Sequence, residues 1–357
     1  MKKWTALLLV FSLLLCGCSA APGETTEATT LATTEPTTEP TTEPTTEPPP
    51  VYINPLNGEE MDAPLTNRIF AVTVSNVRDS LPHVGVNDAD IVMEMFVNGS
   101  VIRCLALFTD VESVPTIGSV RSNRYMFTDI ATHYDAVVAH AGGVRKVLRY
   151  AEENGVPGFN IDTAKETEYS ARDQARIKKG IYWEHCLVAK GEGLVNKALE
   201  QGIEMTQPED KDYGMVFAED GTPAGGEDAA KVNVTITFGS NRKPTSMQYD
   251  EELGKYVWHQ YENQMKDFAT GEPEAFENVV IMLADIYMNQ YGYHYADFSV
   301  GGTGYYACGG KIIPIQWNCE DATSPFRFTT LEGEPVTFGV GNTYIAISHP
   351  NAAVSYE

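Results

Sequence analysis

The pattern of apolar positions beyond residue 50 changes its period along the chain. Short runs rich in Val and Ile, bounded by turn residues, are typical of buried strands and occur at 69–75, 91–96, 101–108 and 136–140. Apolar residues at helical spacing predict helices at 124–133, 144–153 and 187–201. We therefore expect the first half of this region to be of α/β type.

Strands and turns dominate the second half. Residues 232–238 alternate apolar and polar side chains, a Leu-Gly turn divides 249–259, and 278–287 is a long apolar run. Two adjacent glycines, Gly309 and Gly310, join two further strands. We predict an α+β fold in which an N-terminal α/β-type domain with a mixed sheet and helices precedes a smaller, mainly-β domain.

The N-terminus has the pattern of a lipoprotein signal peptide. Lys2 and Lys3 precede an apolar stretch at 4–15, which is too short to span a bilayer. The stretch ends near Cys18, which follows a small glycine, as lipidation and cleavage require. We predict a signal peptide at 1–17, lipidation of Cys18 and an extracytoplasmic location on the outer face of the cell membrane. An ordinary secretory signal with incidental cysteines is the alternative.

The stretch 18–50, which begins at the lipidated cysteine, forms a stalk rich in Thr, Glu and Pro. It contains no aromatic residue and repeats Thr-Thr-Glu-Pro four times. Proline at every fourth position of the repeats removes backbone donors and favours extended, polyproline-like conformations. We expect either a spacer that holds the rest of the chain away from the membrane or a disordered tether with no selected reach.

Composition sets the predicted domain division and excludes one class of partner. The expected domains are 51–207 and 231–357, joined by a polar, Gly-rich linker at 208–230. Residues 51–357 contain 23 basic and 43 acidic residues, so their net charge is −20. Because nucleic-acid binding depends on a basic surface, we expect no nucleic-acid partner.

Four cysteines follow Cys18 in the sequence: Cys104, Cys186, Cys308 and Cys319. Outside the cytoplasm they could form two disulfides in any of three connectivities, or remain buried free thiols. The sequence has no Cys-x-x-Cys, which disfavours a redox motif and a zinc ribbon.

Several ordered motifs resemble the YerB-like lipoprotein family of Gram-positive bacteria. They are ADIVME at 89–94, Arg103, IGSVRSNRY at 117–125, Asp135, HAGG at 140–143, GGKIIPIQW at 309–317 and GVGNTYI at 339–345. The resemblance covers roughly residues 52–350. It implies two α+β or mixed domains, and it carries no assigned chemistry.

Two departures from this family introduce cysteines. Cys186 lies in Trp-Glu-His-Cys-Leu at 183–187, where the family implies a Pro-His-Asn-Leu-like segment, and Cys104 replaces a bulky apolar residue. The coincidence favours a disulfide between 104 and 186, and the second pair that we expect is 308 with 319.

Positive charge is concentrated between residues 121 and 190, where eleven residues are basic and nine are acidic. Arginines three or four positions apart are neighbours on a helix and can together bind a phosphate or carboxylate. The candidate ligand-binding pairs are Arg121 with Arg124, and Arg172 with Arg176. The alternative is that these arginines form structural salt bridges with local acids such as Asp129 and Asp173.

His140 follows a predicted strand and precedes Gly142 and Gly143, which allow a ligand to approach the backbone closely. His185 is its candidate partner, and a histidine pair can perform acid–base chemistry near neutral pH. We count all four residues among the candidate ligand-binding residues. For each histidine, packing against a backbone carbonyl is the alternative.

Familiar catalytic motifs are missing from the sequence, which has no Gly-x-Ser-x-Gly, His-Glu-x-x-His, Walker loop or EF-hand loop. None of the seven histidines lies within four residues of another, which disfavours a compact zinc site. We predict no cofactor and no metal, and we assign no catalytic residue. The tyrosines between 287 and 306 could stack on sugars or pack within a strand face.

The favoured hypothesis is a lipid-anchored envelope protein, not an enzyme, that binds a partner protein or an anionic envelope polymer through the arginines and histidines of the first half. The alternative is an enzyme that acts on phosphate- or pyrophosphate-linked cell-wall glycopolymers, because the order of motifs loosely resembles that of LytR-CpsA-Psr glycopolymer transferases. In that case Arg121 and Arg124 would hold the pyrophosphate, and Asp90 or Asp135 a divalent cation.

Overall fold

The computed structural model describes residues 50–208 and 211–357. The predicted signal peptide at 1–17, the lipidation residue Cys18 and the stalk up to residue 49 lie outside the described residues. Of the helices that are described, none is long and apolar enough to cross a bilayer.

Strands form most of the regular secondary structure. In chain order they are β1 (Tyr52–Ile53), β2 (Glu60–Met61), β3 (Phe70–Ser75), β4 (Ile91–Asn98), β5 (Val101–Phe108), β6 (Ile117–Gly118), β7 (Val137–His140), β8 (Gly158–Asn160), β9 (Ser170–Arg172), β10 (Leu187–Ala189), β11 (Val216–Ala218), β12 (Glu227–Asp228), β13 (Lys231–Phe238), β14 (Asn241–Asp250), β15 (Lys255–Gln260), β16 (Asn263–Gln264), β17 (Ala275–Phe276), β18 (Asn278–Leu283), β19 (Ile286–Met288), β20 (His294–Ala296), β21 (Gly302–Cys308), β22 (Lys311–Asn318), β23 (Arg327–Thr330), β24 (Thr337–Gly339), β25 (Thr343–Ser348) and β26 (Ala353–Tyr356).

The α-helices of the described residues all precede residue 208. They are α1 (Tyr125–His133), α2 (Arg145–Glu153), α3 (Gln174–Lys178) and α4 (Gly191–Glu200). Short 3-10 helices lie at Arg78–Ser80, Trp183–His185 and Phe298–Val300.

An eleven-stranded mixed sheet contains strands from both halves of the chain. Its order is β12-β22-β21-β18-β25-β4-β5-β3-β7-β8, with β23 paired to β22. β25, from the second half, is parallel to β18 on one side and to β4 of the first half on the other. The mixed sheet and the excess of strands over helices agree with the coarse form of the predicted α+β class. The domain division at 208–230 stays a prediction.

A second sheet, of six strands, covers one face of the main sheet. Its order is β16-β15-β14-β13-β26, with β17 paired to β15. Val92 of β4 shares a buried apolar cluster with Trp258 of this second sheet, whereas the next residue, Met93, shares the opposite cluster with Phe127 of α1. Because both faces of β4 are buried, its apolar residues point to both sides and do not alternate with polar ones, and the one charged residue in the strand, Glu94, is buried as well.

Most predicted elements are confirmed, and two require correction. The predicted helix at 187–201 is partly wrong, because Leu187–Ala189 form β10 between β6 and β9, and α4 begins only at Gly191. These three buried residues bond to neighbouring strands, so tertiary pairing overrides their helical spacing. The apolar run at 278–287 is divided into β18 and β19.

Candidate functional site

The loop between β6 and α1 places the first predicted arginine pair beside the His-Ala-Gly-Gly motif. The Arg121 amide donates to the carbonyl of Thr73 in β3 at 2.8 Å, and the Arg121 carbonyl accepts from the amide of Ala141 at 2.8 Å. The Asn123 amide donates to the carbonyl of Gly142 at 2.9 Å. Backbone hydrogen bonds therefore fix this loop between β3 and the turn that follows β7.

Arg121 and Arg124 both precede α1, so they are not neighbours on a helix. The backbone of Arg124 is extended, with φ −142° and ψ 160°, and α1 begins at Tyr125. The loop conformation, and not helical spacing, sets the relative position of the two guanidinium groups.

Arg103 projects from β5 towards the same loop. It is 5% exposed, and its Nη1 donates to the carbonyl of Ser122 at 2.6 Å. Its Nε is buried without a hydrogen-bond partner, and among the residues that the structure describes no carboxylate pairs with it. Buried arginines are usually paired with an acid, so this guanidinium lacks its counter-charge.

Arg124 is also buried and has only neutral partners. Its Nε donates to Oδ1 of Asn98 at 2.9 Å, and its Nη1 donates to the carbonyl of Asn123 at 2.7 Å. The guanidinium lies 5.6 Å from the ring centroid of Tyr293. Within 50–208 and 211–357, no carboxylate forms an ion pair with Arg124.

Arg121 is the most accessible of the three arginines. Its Nη1 donates to the backbone carbonyl of Glu184 at 2.9 Å, and its Nη2 lies 3.7 Å from Oε2 of the same residue, whose side chain is half exposed. Such surface ion pairs contribute little to stability. We call Arg103, Arg121 and Arg124 the arginine cluster.

The positive charges of the arginine cluster disfavour one another. Burial lowers the pKa of Arg103, and the charges of Arg124 and Arg121 lower it further. Burial also lowers the pKa of Arg124, and Arg121 adds to that effect. An anion bound among these groups would compensate their charge and accept several charge-assisted hydrogen bonds. Phosphates and carboxylates are the anions that guanidinium groups bind in this way.

The second arginine pair is engaged elsewhere. Arg172 lies in β9, where its Nη2 bonds to Oδ1 of Asp162 at 2.6 Å. Arg176 lies in α3 and is fully buried, and it donates to the backbone carbonyls of Pro82 at 2.5 Å and Ser80 at 2.7 Å. The expected helical pairing is wrong because Arg172 precedes the helix. These contacts give no support to a ligand-binding role for the pair.

The acids considered as partners of the arginines have other roles. Asp129 accepts a hydrogen bond from the hydroxyl of Tyr150 at 2.7 Å. Asp173 caps α3, because its carboxylate accepts from the amides of Ala175 and Arg176. Neither acid pairs with an arginine, but other local acids do, because Glu184 pairs with Arg121 and Asp162 pairs with Arg172, as the structural alternative expects.

His140 and His185 do not form the expected pair. His140 lines a cleft of about 620 Å³ together with Asn123 and Lys197, and His185 is not among the described residues on its walls. Burial lowers the pKa of His140 to about 4, so its imidazole is neutral at neutral pH. Burial lowers the pKa of His185 as well, and the charge of Arg121 contributes.

Gly142 and Gly143 shape the turn between β7 and α2. Gly142 has φ +70°, and its amide donates to Oδ1 of Asn160 at 2.8 Å. A Cβ on Gly143 would lie 2.9 Å from Leu148 of α2. The positive φ favours glycine at 142, whereas a larger residue at 143 would require only a shift of the Leu148 side chain. The approach of the two glycines to a ligand stays a prediction.

The carboxylates that the transferase alternative assigns to a cation are already engaged. Oδ1 of Asp90 accepts from the side-chain amides of Asn54 and Asn57, both at 2.8 Å, and burial raises the pKa of Asp90 to about 6. Asp135 is paired with Arg68 at 2.5 Å. In the described part of the chain, no three or more His, Cys, Asp or Glu side chains converge as metal ligands would.

The expected disulfides are wrong, because all four cysteines are buried free thiols. Cys308 and Cys319 lie at opposite ends of the β21–β22 hairpin, whose strands extend over about 20 Å. Cys104 packs in the central sheet with Val92 and Trp258, whereas the Cys186 thiol donates to the carbonyl of Tyr182 at 3.4 Å. Each thiol therefore occupies its own environment.

Two family models match successive parts of the chain. Residues 56–204 match the model described as protein of unknown function (DUF3048) N-terminal domain, and residues 234–345 match the model of the DUF3048 C-terminal domain. The chain belongs to the YerB-like family. This YerB-like chain is 26% identical over 303 residues to "Putative lipoprotein YerB" of Bacillus subtilis (strain 168), an alignment that covers 82% of this chain and 85% of that protein.

The fold is that of a solved YerB structure. The crystal structure of the YerB protein from Bacillus subtilis superposes with a TM-score of 0.71 at 22% identity, and the match covers 85% of this chain and 99% of that one. The family and the two-domain architecture expected from the motifs are confirmed.

Sequence reasoning did not assign Arg103, Asn98 and Tyr293 to the site. One signal was present, because Arg103 interrupts an otherwise apolar strand, and a charged residue at a buried position requires a partner. Asn98 and Tyr293 carry no comparable signal. They reach Arg124 only because an isolated bridge joins them, far apart along the chain.

Proposed function

We propose that this YerB-like protein is a lipid-anchored envelope protein that binds an anionic envelope polymer through the arginine cluster. Cys18 is the proposed attachment residue, and the stalk at 18–50 would place the cluster outside the cytoplasm. The lipoprotein name of the Bacillus subtilis relative supports the anchoring part of the proposal.

The observation that carries the binding part is the uncompensated guanidinium of Arg103. A buried charge without a counter-ion is costly, and Arg124 beside it shares the same lack. A phosphate or carboxylate would supply the missing charge. Each charge-assisted hydrogen bond to it would contribute about 1.5–3 kcal/mol.

The acidic remainder of the protein favours a local mode of binding. Residues 51–357 carry a net charge of −20, so a polyanion is repelled by most of the surface and attracted only near the cluster. Exposed charges are screened beyond about 8 Å at physiological salt, which limits this repulsion. We expect one anionic group at a time to occupy the cluster.

Calorimetric titration of the full chain in detergent micelles tests the proposal. The probes are inorganic tripolyphosphate and an oligouronic acid, which separate phosphate from carboxylate recognition. Arg121→Gln should weaken the binding of at least one probe by about 10-fold, because it removes one charge-assisted bond. Arg327→Gln is the charge-matched control, because Arg327 is exposed on β23 and pairs with Asp212. Equal affinities in wild type and Arg121→Gln would contradict anion binding at the cluster.

Fractionation of cells tests the anchor separately. Cys18→Ser should release the protein from the membrane fraction, whereas Cys16→Ser should leave it there, because only Cys18 follows a small residue. Retention of the Cys18→Ser protein in the membrane fraction would show that another element anchors the chain.

A further inference from the structure

A groove of about 600 Å³ follows α1 along its length. Tyr125 and His133, the first and last residues of α1, lie on its walls, and α2 contributes Tyr150 and Asn154. The segment 295–299 forms the wall opposite these helices. Because α1 has nine residues, the groove extends over roughly 13 Å, which exceeds the width of a single sugar ring.

Tyrosine rings line this groove and its rim. Tyr125 and Tyr150 pack edge to face with ring centroids 5.1 Å apart, and Tyr295 contacts Tyr287 at 5.6 Å. Tyr287 is 46% and Tyr295 40% exposed, so their rings remain accessible to a ligand. Tyrosine offers an apolar face and a polar tip, a combination that suits the C–H faces and hydroxyls of a sugar.

Three aspartic acid side chains with an unused oxygen complete the walls, and burial raises the pKa of one of them, Asp129, to about 7. Oδ1 of Asp129 accepts from the hydroxyl of Tyr150 at 2.7 Å, and Oδ1 of Asp297 accepts from Oγ of Ser299 at 2.6 Å. In Asp321, Oδ1 accepts all the hydrogen bonds from the following turn, which Thr323 and Ser324 donate, and Oδ2 accepts none of them. Of the residues described, no Lys or Arg lines the groove. A ligand here must therefore present hydrogen-bond donors and no negative charge.

One end of the groove lies beside Tyr293, a residue that also contacts the arginine cluster. Tyr125, at the first turn of α1, packs on Tyr293 with ring centroids 5.9 Å apart, and the guanidinium of Arg124 lies over the same Tyr293 ring. Nζ of Lys146 lies 3.2 Å from the ring centroid of Tyr291 in the same loop. Positive charge is thus placed at one end of a groove whose walls accept hydroxyl groups.

We propose that the groove along α1 binds neutral, hydroxyl-rich sugar units of the polymer whose anionic group is held by the arginine cluster. The ligand is then an anionic glycan, with its charge at the start of α1 and its sugars along the helix. This inference rests on the proposed anion binding at the cluster and adds the chemical class of the polymer.

A basic peptide is the other ligand class that aspartic acid side chains in the groove would accept. The arginine cluster disfavours such a peptide, because it would repel lysine and arginine side chains at the end of the groove. The accessible rings of Tyr287 and Tyr295 favour a sugar, whose C–H groups can pack against them.

Binding measurements with separate probes for groove and cluster test the inference on the full chain in micelles. The probes are a panel of neutral tetrasaccharides of glucose, galactose or N-acetylglucosamine, inorganic tripolyphosphate, and tetralysine. Tyr295→Ala should weaken the binding of a tetrasaccharide by about 10-fold. Its affinity for tripolyphosphate should stay within about 2-fold of the wild-type value. Arg121→Gln should weaken the binding of tripolyphosphate and leave the binding of the tetrasaccharide nearly unchanged. Tyr182→Ala, which removes an exposed tyrosine outside the groove, should change neither.

Each failure has its own signature. If no tetrasaccharide binds, or if binding is the same in Tyr295→Ala, the sugar groove is wrong while tripolyphosphate still reports on the cluster. If tetralysine binds and Tyr295→Ala abolishes that binding, the groove belongs to a basic peptide and the inference is overturned. If tripolyphosphate binding does not depend on Arg121, the proposal that the arginine cluster binds anions is contradicted. The inference that one anionic glycan occupies both the cluster and the groove is then contradicted as well. Thermal unfolding of Tyr295→Ala confirms that the variant is folded.

Discussion

Glu94 and Lys243 form a buried ion pair that links the two sheets. Glu94 belongs to β4 and is fully buried, and Lys243 belongs to β14 with its side chain 4% exposed. The carboxylate also accepts hydrogen bonds from the side chains of Asn76, Thr245 and Tyr344. Burial lowers the pKa of Lys243, an effect that Glu94 opposes. The pair holds one charge of each sign inside the main core.

Replacing one member of this pair should cost more than replacing both. Glu94→Gln leaves the Lys243 ammonium buried without a counter-charge, and we expect a loss of about 3–5 kcal/mol in the free energy of unfolding. Glu94→Gln combined with Lys243→Met removes both charges and should recover part of that loss. Urea denaturation of the two single variants and the double variant measures the coupling. Additive losses would show that the two charges do not depend on each other.

Asp129→Asn should stabilise the protein more at pH 8 than at pH 5. Burial raises the pKa of Asp129 from 3.8 to about 7, so the folded state retains a proton that the unfolded state loses between these values. The contribution of this carboxyl group to the free energy of unfolding is therefore complete below pH 4, and it is lost as the pH rises through 7. Asparagine avoids the loss and can still accept the hydrogen bond from Tyr150. Melting temperatures at the two pH values provide the measurement.

Asp321→Asn is the control of opposite sign. Hydrogen bonds from Thr323 and Ser324 lower the pKa of Asp321, so its contribution to stability is present above the unfolded value and is lost in acid. This variant should lower the melting temperature at both pH 5 and pH 8. A shift for Asp129→Asn that is the same at both pH values would contradict a raised pKa at that residue.

A reducing agent should leave the melting temperature unchanged. Burial raises the pKa of Cys308 to about 12 and that of Cys319 to about 11, and none of the four thiols in the described residues is paired. Unfolding without a reductant, in the presence of iodoacetamide, should alkylate all four cysteines from Cys104 to Cys319. Mass spectrometry counts the added groups, with a reduced sample as the reference. Fewer additions than in the reduced sample would show that a disulfide exists.

Residues 231–357 should not fold when they are produced alone. β25 is buried along its whole length and bonds to β4 of the first half, so removal of that half exposes an apolar strand edge. We expect aggregation or an unfolded circular dichroism spectrum, and recovery when 50–230 is produced in the same cells. Cooperative unfolding of the isolated fragment would show that the shared sheet is not required.

The central strands were predictable from the sequence because burial on both faces leaves a mainly apolar run, which one charged residue interrupts in β4 and another in β5. β5 matches its expected bounds, and β4 differs only at its C-terminal end. The segment at 187–189 was not predictable, because the same Leu-Val-Ala fits a helix until β6 and β9 are available as partners. Both halves share one sheet because β25 pairs with β4. Neither strand has a local sequence feature that identifies the other as its partner.

The site was predictable only as a region. Arg121 and Arg124 were identified through local charge, but their arrangement depends on the backbone of the loop before α1 and on contact with Asn98 and Tyr293. The role of Arg103 could have been inferred from its place in an apolar strand. Arg172 and Arg176 show the limit of spacing arguments, because a strand ends and a helix begins between them.

The position of β25 also determines when the sheet can close as the chain emerges from a ribosome or a secretion channel. Tyr344 of β25 and Glu94 of β4 are hydrogen-bonded across a separation of 250 residues. The middle of the sheet therefore stays open until β25 has emerged. Until then one edge of β4 has no partner strand, so the main sheet can close only after segments from both halves of the chain have emerged.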